Sequence, residues 1–383
     1  MNRYDKIYNY VMAVVLLLFL GALAVLNLLT AEREFSEAEN RVLEKSPDFT
    51  LQSLAAGKFT SSYEKYVSDQ FVFRDAWIGV KTDADRAMGK KESNGVYLGK
   101  DGFLMQRFNP PEDREVEDKI QAIRAFDHAT PGVRKYMMLV PAAAMLLQDK
   151  LPAYAAAGDE APYVDKVRQK LPGTIRFVDV HPALSAEREQ PIFYRTDHHW
   201  TTTGAYYAYR ELCKHMGIIP LDKEDFRIQR VTDQFYGSLY SKSGFRHIRP
   251  DGIELYLPKK EASYKVEYVD EQRTADSLYE LGNLAKKDKY TVFFNGNHAL
   301  IQITTAHLEG KRKLLVVKDS FANSLLPFLT EHFSEIYVVD LRYYGEDLAA
   351  LVRQHGIPDM LLLYNVNTFF EDPSIQNLAE LIE

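Results

Sequence analysis

The first hydrophobic pattern in the chain is continuous rather than periodic. Between Lys6 and Glu32 lie 25 residues without a formal charge, and residues 10–29 are almost wholly Val, Leu, Ala, Met and Phe. A helix rises about 1.5 Å per residue, so roughly 20 such residues cross the ~30 Å hydrocarbon core of a bilayer. Arg3 and Lys6 precede the run, whereas Glu32, Glu34, Glu37 and Glu39 follow it. The positive-inside rule therefore predicts a single-pass transmembrane anchor over 10–29, with residues 1–9 cytoplasmic and the remainder outside. Ala22-Leu23-Ala24 has the small-x-small pattern of a signal-peptide cleavage site. The apolar run continues past it through Val25, Leu26, Leu28 and Leu29, which favours an uncleaved anchor. Both readings export the chain.

Beyond the anchor the pattern becomes periodic. Residues 51–88 carry apolar side chains at mixed spacings of three and four, so 30–90 read as a juxtamembrane helical stalk. Val96-Tyr97-Leu98 and Phe103-Leu104-Met105 are short apolar runs separated by turn residues, a hairpin signal that opens a domain over 91–383. Short strands then alternate with helices: strands at 134–140 and 174–180, helices at 161–170 and 201–216, with Gly217 as the last helix's stop. Between about 221 and 310, Tyr, Lys and Glu alternate with apolar residues, as in Tyr264-Lys265-Val266-Glu267-Tyr268, which predicts an inserted antiparallel β-rich segment. Alternation resumes with strands at 313–317, 336–339 and 360–364 and helices at 321–332 and 347–355. Three short, fully apolar runs separated by helices predict an α/β fold whose parallel central sheet is covered on both faces.

Composition removes several function classes. A chain of 383 residues that is 46% hydrophobic supports a large core, and a net charge of -7 without a sustained Lys/Arg block leaves no footprint for nucleic acid. The 24 Tyr and 21 Phe point to an aromatic-rich core more readily than to a sugar-stacking surface. A single cysteine, Cys213, excludes an internal disulfide and any cysteine-based metal site built from this chain alone. Its neighbours Tyr209, Leu212 and Met216 place it on a buried helix face as a structural thiol.

Two segments can carry chemistry. Ser320 follows the apolar strand Leu314-Leu315-Val316-Val317 and opens a predicted helix, where unpaired backbone N–H groups suit an oxyanion. The structural alternative is that Ser320 or Asp319 is simply a helix cap. His199 and Asp197, two residues apart in Thr196-Asp197-His198-His199-Trp200, can supply the general base and the carboxylate that orients it, which a hydroxyl nucleophile requires. Asp197 as a turn residue is the plain alternative. The His198-His199 pair is a weak metal signal, because adjacent side chains diverge and no HExxH-type spacing accompanies them. No metal or cofactor is expected.

Taken together, Phe35-Ser36-Glu37, Glu39-Asn40-Arg41, Asp69-Gln70-Phe71, Phe73-Arg74-Asp75, Gly95-Val96-Tyr97-Leu98-Gly99, the Asp197–Trp200 tetrapeptide, Gly296-Asn297-His298 and Lys318-Asp319-Ser320 resemble the bacterial DHHW proteins. That family is similar to the SGNH hydrolase-like domains of alginate O-acetyltransferases, in which an Asp-x-His-Trp segment precedes the serine. The resemblance implies a three-layer SGNH-like fold with Ser320 as nucleophile, His199 as general base and Asp197 as its orienting partner. It implies O-acyl transfer, most simply acetyl, to a cell-surface polysaccharide, with a membrane-bound O-acyltransferase as acyl supplier. An O-acetyl esterase, or a glycan-binding or assembly protein without catalysis, are the alternatives. One departure is Lys318, where SGNH enzymes commonly have Gly. By position at the next two strand ends, Arg342, Asn365 and Asn367 are candidates for oxyanion or substrate contacts.

Overall fold

The computed structural model describes residues 3–380 except 37, 154, 157, 261, 309 and 311, so Glu37 of the first motif lies outside the described residues. The chain divides into two compact units, residues 3–90 with 244–246, and residues 91–243 with 247–380.

The smaller unit begins with one 27-residue helix, Arg3–Leu29, with no buried residue, long and apolar enough to cross a membrane. The helical pattern over 51–88 resolves into three helices, Leu51–Ala55, Lys58–Gln70 and Arg74–Ala87. Their packing is organised by charge. Arg41 holds the buried Asp69 through two hydrogen bonds, 2.8 and 2.5 Å, while Glu39 accepts from Arg41 at 2.7 Å and from Arg74 at 2.5 Å. The Arg41 contact, against the opposing effect of burial, holds the Asp69 carboxyl below the usual carboxylate range. Gln70 donates to the carbonyls of Arg33 and Glu44, and Val72 N–H donates to Asn27 of the long helix at 2.9 Å. The charged motifs around residues 39–41 and 69–75 are thus halves of one ion network.

The larger unit is a mixed α/β structure around an eight-stranded, mostly parallel sheet. In chain order its strands are β1 (Arg134–Val140), β2 (Ile175–Phe177), β3 (Tyr264–Tyr268), β4 (Arg273–Ala275), β5 (Leu300–Thr305), β6 (Lys313–Lys318), β7 (Glu335–Val339) and β8 (Asp359–Asn365). Their spatial order is β4-β3-β5-β7-β6-β8-β1-β2. The run from β7 to β2 is parallel, and β3, β4 and β5 continue the sheet antiparallel. The alternating segment predicted as an insertion therefore extends the central sheet, while Phe226–Phe235 and Asp251–Pro258 form a separate two-stranded sheet.

Both faces of the sheet are buried, which the continuous apolar strands require. Leu314, Val316, Leu361 and Leu363 pack with Trp200, Tyr206 and Phe321 on one face; Leu315, Val317, Leu362, Met137 and Leu139 pack on the other with Phe369 and the helix Asp113–Ala129. That helix was not among the elements read from the sequence, although Val116, Ile120, Ile123 and Phe126 recur along it at helical spacing. The ends of β8 and β1 are level, Asn365 pairing with Val140, while β6 ends two residues earlier, with Lys318 opposite Leu363. Because β7 lies on one side of β6 and β8 on the other, the chain reverses direction at the end of β6, the place where open α/β sheets leave a crevice.

One predicted element differs. The expected helix over 321–332 is instead a 3-10 turn, Ser320–Ser324, followed by a one-turn helix, Leu326–Leu329. Pro327 has no N–H to give, and Asp319 captures the Phe321 N–H at 2.9 Å, so the turn tightens.

Leu361 is fully buried between β6 and β1, and Leu361→Ala is expected to destabilise the larger unit by about 2–5 kcal/mol, as large-to-small core changes do. A lowered urea midpoint with an unchanged slope checks this.

Candidate active site

The turn carrying Asp197 and His199 is built before it is chemical. Phe193 and Trp200 form an antiparallel bridge, and Tyr194 N–H donates to the His199 carbonyl at 3.3 Å, closing the loop between them. Asp251 fixes its first half, accepting from the backbone of Arg195 and Thr196 at 3.0 and 2.8 Å and from Thr196 Oγ1 at 2.6 Å. Thr201 caps the following helix, Thr202–Met216, by accepting from Gly204 N–H. Cys213 is buried on this helix, and burial pushes its thiol up to about 12, as suits a packing residue.

Three side chains then meet in a line. His199 Nδ1 lies 2.5 Å from Asp197 Oδ1, and His199 Nε2 lies 2.7 Å from Ser320 Oγ. Asp197 and His199 are buried, whereas Ser320 is half-buried. The second carboxylate oxygen of Asp197 accepts the Ser238 N–H at 2.7 Å. Burial alone would raise the Asp197 pKa, but the imidazoles of His199 and His198 and the Ser238 N–H hold it far below the usual range. Asp197 is therefore a charged acceptor, and it places a proton on His199 Nδ1, leaving Nε2 to accept from the serine.

The imidazole cannot tilt. Tyr290 stacks on His199 with ring centres 3.8 Å apart and planes 11° from parallel, and Phe321 packs at 5.0 Å. Trp200 Nε1 donates to the Phe321 carbonyl at 2.9 Å, tying the histidine turn to the serine turn. Tyr290 Oη reaches the Ser320 carbonyl and Ser324 Oγ, both at 3.2 Å. Asp319 caps the serine turn and also accepts the Asn365 N–H at 2.8 Å. Burial pushes the Asp319 carboxyl up.

The other predicted candidates surround this turn in different ways. Arg342 is paired in two places with Asp340, at 2.8 and 2.6 Å. Asn365 uses its amide on the Val140 carbonyl and its oxygen on the Asn367 N–H, both at 3.0 Å. Asn367 Oδ1 is buried and has no hydrogen-bond partner among the described residues. Hydrogen bonds thus commit Arg342 and Asn365 to bracing the strand ends.

Asp197, His198 and His199 hold donor atoms within 4.8 Å of one another. Both ring nitrogens of His199 are already engaged by Asp197 and Ser320, and His198 Nδ1 lies 2.6 Å from Ser238 Oγ, so an ion would have to displace the serine contact or break the Asp197 pair. Sequence reasoning missed Tyr290, Ser238, Gly237 and Asp251. At Gly237 a Cβ would fall 2.2 Å from the Asp197 Cβ, so glycine is required for the close approach.

The family model described as DHHW protein matches residues 132–339, more than half of the chain. The chain belongs to the DHHW protein family. Its fold is similar to that of a DHHW family protein from Eubacterium siraeum, with a TM-score of 0.66 and 23% identity over 76% of this chain and 97% of that one. It is also similar to PatB1 of Bacillus cereus, with a TM-score of 0.61 and 20% identity over 73% and 97% of the two chains. In sequence it is 24% identical over 233 residues to a protein of Pseudomonas fluorescens described as probable alginate O-acetylase AlgJ. The match takes in 58% of this DHHW protein and 59% of that relative's length.

Because Asp197 titrates below its unfolded value of about 3.9, its pairing stabilises the fold fully above that pH and less as pH falls through the folded value. The gap in unfolding midpoint between wild type and Asp197→Asn should therefore be widest near neutrality and shrink below about pH 4. Proton NMR should show a strongly deshielded His199 Nδ1 proton in the wild type only.

Proposed function

We propose that this DHHW protein is an extracytoplasmic O-acyltransferase, most simply an acetyltransferase, acting on a cell-surface polysaccharide. The observation that carries the reading is the unbroken path from Asp197 through His199 to Ser320, with the serine hydroxyl 2.7 Å from the imidazole nitrogen. That distance is within proton-transfer reach.

Ser320 Oγ attacks the acyl carbonyl as its proton passes to His199 Nε2, and Asp197 stabilises the imidazolium that results. The tetrahedral oxyanion collapses, the bond to the donor's leaving group breaks, and His199 returns the proton to that group. The acyl-serine is then opened by a sugar hydroxyl, whose proton His199 takes and delivers back to Ser320. Water in place of the sugar makes the same site an esterase, so exclusion of water decides the outcome.

The sequence likeness to a protein described as an alginate O-acetylase supports a polysaccharide acceptor. The apolar helix Arg3–Leu29, with Arg3 and Lys6 before it and acidic residues after it, supports an anchor whose N-terminus is cytoplasmic. In this reading 10–29 span the bilayer, 30–90 form a stalk and 91–383 form an SGNH-like catalytic domain. Acyl groups would come from a membrane-embedded O-acyltransferase, since the donor must cross the same bilayer.

A chromogenic acetyl ester followed by intact mass measurement tests the assignment. Slow turnover and a serine-bound acetyl adduct are expected in the wild type, and neither in Ser320→Ala. Asp197→Asn should lower the rate by about 10⁴-fold, because it favours the wrong imidazole tautomer. Equal turnover by wild type and Ser320→Ala overturns the assignment.

A further inference from the structure

The helix Arg74–Ala87 separates its charged and apolar side chains onto opposite faces, and the faces are turned the unusual way round. Trp77, Val80, Ala84 and Ala87 recur at spacings of three and four, so they share one face. Phe73 and Met88, the residues on either side of the helix, continue it at the same spacing. All six are exposed, Phe73 at 63%, Trp77 at 42%, Val80 at 62% and Met88 at 76%.

The other face looks into the smaller unit. Arg74 lies 2.5 Å from Glu39, and Arg86 donates to the Arg246 carbonyl at 3.1 Å. Thr82 is buried, and a Cβ on Gly244 would fall 3.3 Å from its Oγ1. All of these residues belong to the smaller unit. A helix on a water-facing surface buries its apolar stripe and shows its charges. This helix does the reverse for about four turns, and an exposed apolar surface of that length marks a place of contact.

The position of the stripe says what it contacts. Val72 N–H donates to Asn27 Oδ1 at 2.9 Å, Arg33 N–H donates to Gln70 Oε1 at 2.9 Å, and Arg33 pairs with Asp75 at 3.1 Å. These contacts tie the start of the helix to the outer end of the apolar helix Arg3–Leu29. Asn27 is two residues from Leu29, about 3 Å along the axis, so in the anchored reading Phe73 and Trp77 begin where the anchor leaves the hydrocarbon. Trp77 suits that depth. Its Nε1–H donates to the Val72 carbonyl at 3.2 Å, so the ring can enter acyl chains without carrying an unpaired donor. Phe73 has a φ of 57°, rare for a bulky residue, yet its ring stands in the open. A strained backbone that presents a large apolar ring outward is costly in water, and burial of the ring in lipid would offset that cost.

We propose that the face running from Phe73 to Met88 rests in the outer leaflet of the bilayer, so that residues 74–87 lie along the membrane beside the anchor. The proposal rests on the transmembrane reading of residues 10–29. Lipid is the occupant because the face starts at the anchor's exit, and because a charged helix with one apolar stripe matches an interfacial helix. Lys81 and Asp83 border the stripe and would reach the headgroups.

The full chain in lipid nanodiscs tests this. There are two tryptophans, and Trp200 is fully buried, so the emission lost in Trp77→Phe is that of Trp77. Lipids brominated on their acyl chains should remove most of that emission. The combined variant Phe73→Ser, Val80→Ser, Met88→Ser should lose the quenching and keep the wild-type thermal midpoint, since none of the three is buried. Spin labels at Leu17→Cys, Val80→Cys and Ala87→Cys should meet oxygen more readily than a water-soluble nickel chelate, with the opposite order at the exposed Glu64→Cys. Cys213 is buried and does not compete for the label. If Val80→Cys and Ala87→Cys behave like Glu64→Cys and Trp77 stays bright, while Leu17→Cys faces lipid, the face does not touch the bilayer and the anchor reading stands. A disulfide between two copies of Val80→Cys, with both probes shut out, assigns the face to a second chain and also overturns the proposal. A water-facing Leu17→Cys removes the anchor reading and this inference with it.

Discussion

A buried carboxylate that stays charged is the constraint on which the site depends. Asp197 is almost wholly removed from water, and burial works against its ionised form. The offset comes from the two imidazoles beside it and from the Ser238 N–H, and the His199 N–H donates to the same carboxylate at 3.0 Å. Bringing the Ser238 N–H close enough requires the backbone at Gly237 to touch the aspartate, which any side chain would prevent. Bringing the imidazole close enough requires a tight turn, which Asp251 locks by taking the Arg195 and Thr196 amides. The Asp197–His199–Ser320 geometry is a consequence of satisfying this charge.

The sheet and the inserted segment divide the work. Strand β6 ends two residues short of its neighbours β8 and β1 and hands the chain to Ser320 there, and Asp319 fastens the serine turn to β8 through the Asn365 N–H. Much of what steadies the histidine turn comes from between residues 230 and 300, from Gly237, Ser238, Asp251 and Tyr290, and Phe321 of the serine turn packs against the imidazole as well. The antiparallel strands β3, β4 and β5 join this region to the sheet, so the loops that hold the turn share the rigidity of the core.

Much of this was legible in the chain because the informative signals are local. The strands at 313–318, 335–339 and 359–365 declare themselves as short apolar runs, Asp197 and His199 stand two apart in one segment, and Ser320 follows directly on an apolar strand. What stayed hidden depends on long-range contact. Nothing near Tyr290 signals that its ring lies on His199, about 90 positions away, and Gly237 looks like any turn glycine until Asp197 is placed against it. The helix expected after Ser320 was misread for a related reason: apolar spacing continues through Phe321, Leu325 and Phe328, but capture of one amide by Asp319 and the missing donor of Pro327 break it into a 3-10 turn and a short helix.

The immobility of His199 also bears on the order of events. Its Nδ1 is held by Asp197, one face is covered by Tyr290 and Phe321 packs against it, so Nε2 addresses a single region of space beside Ser320 Oγ. In acyl transfer the group leaving the donor must receive a proton from Nε2, and the acceptor hydroxyl must later give one to the same atom. An imidazole free to swing could serve two positions; this one cannot. On the proposed serine acyl-transfer reading, donor and acceptor therefore occupy the same place in turn, with the acyl-serine holding the group between visits. In that reading the alternation calls for a covalent intermediate, and rigidity around the histidine matters as much as the identity of the nucleophile.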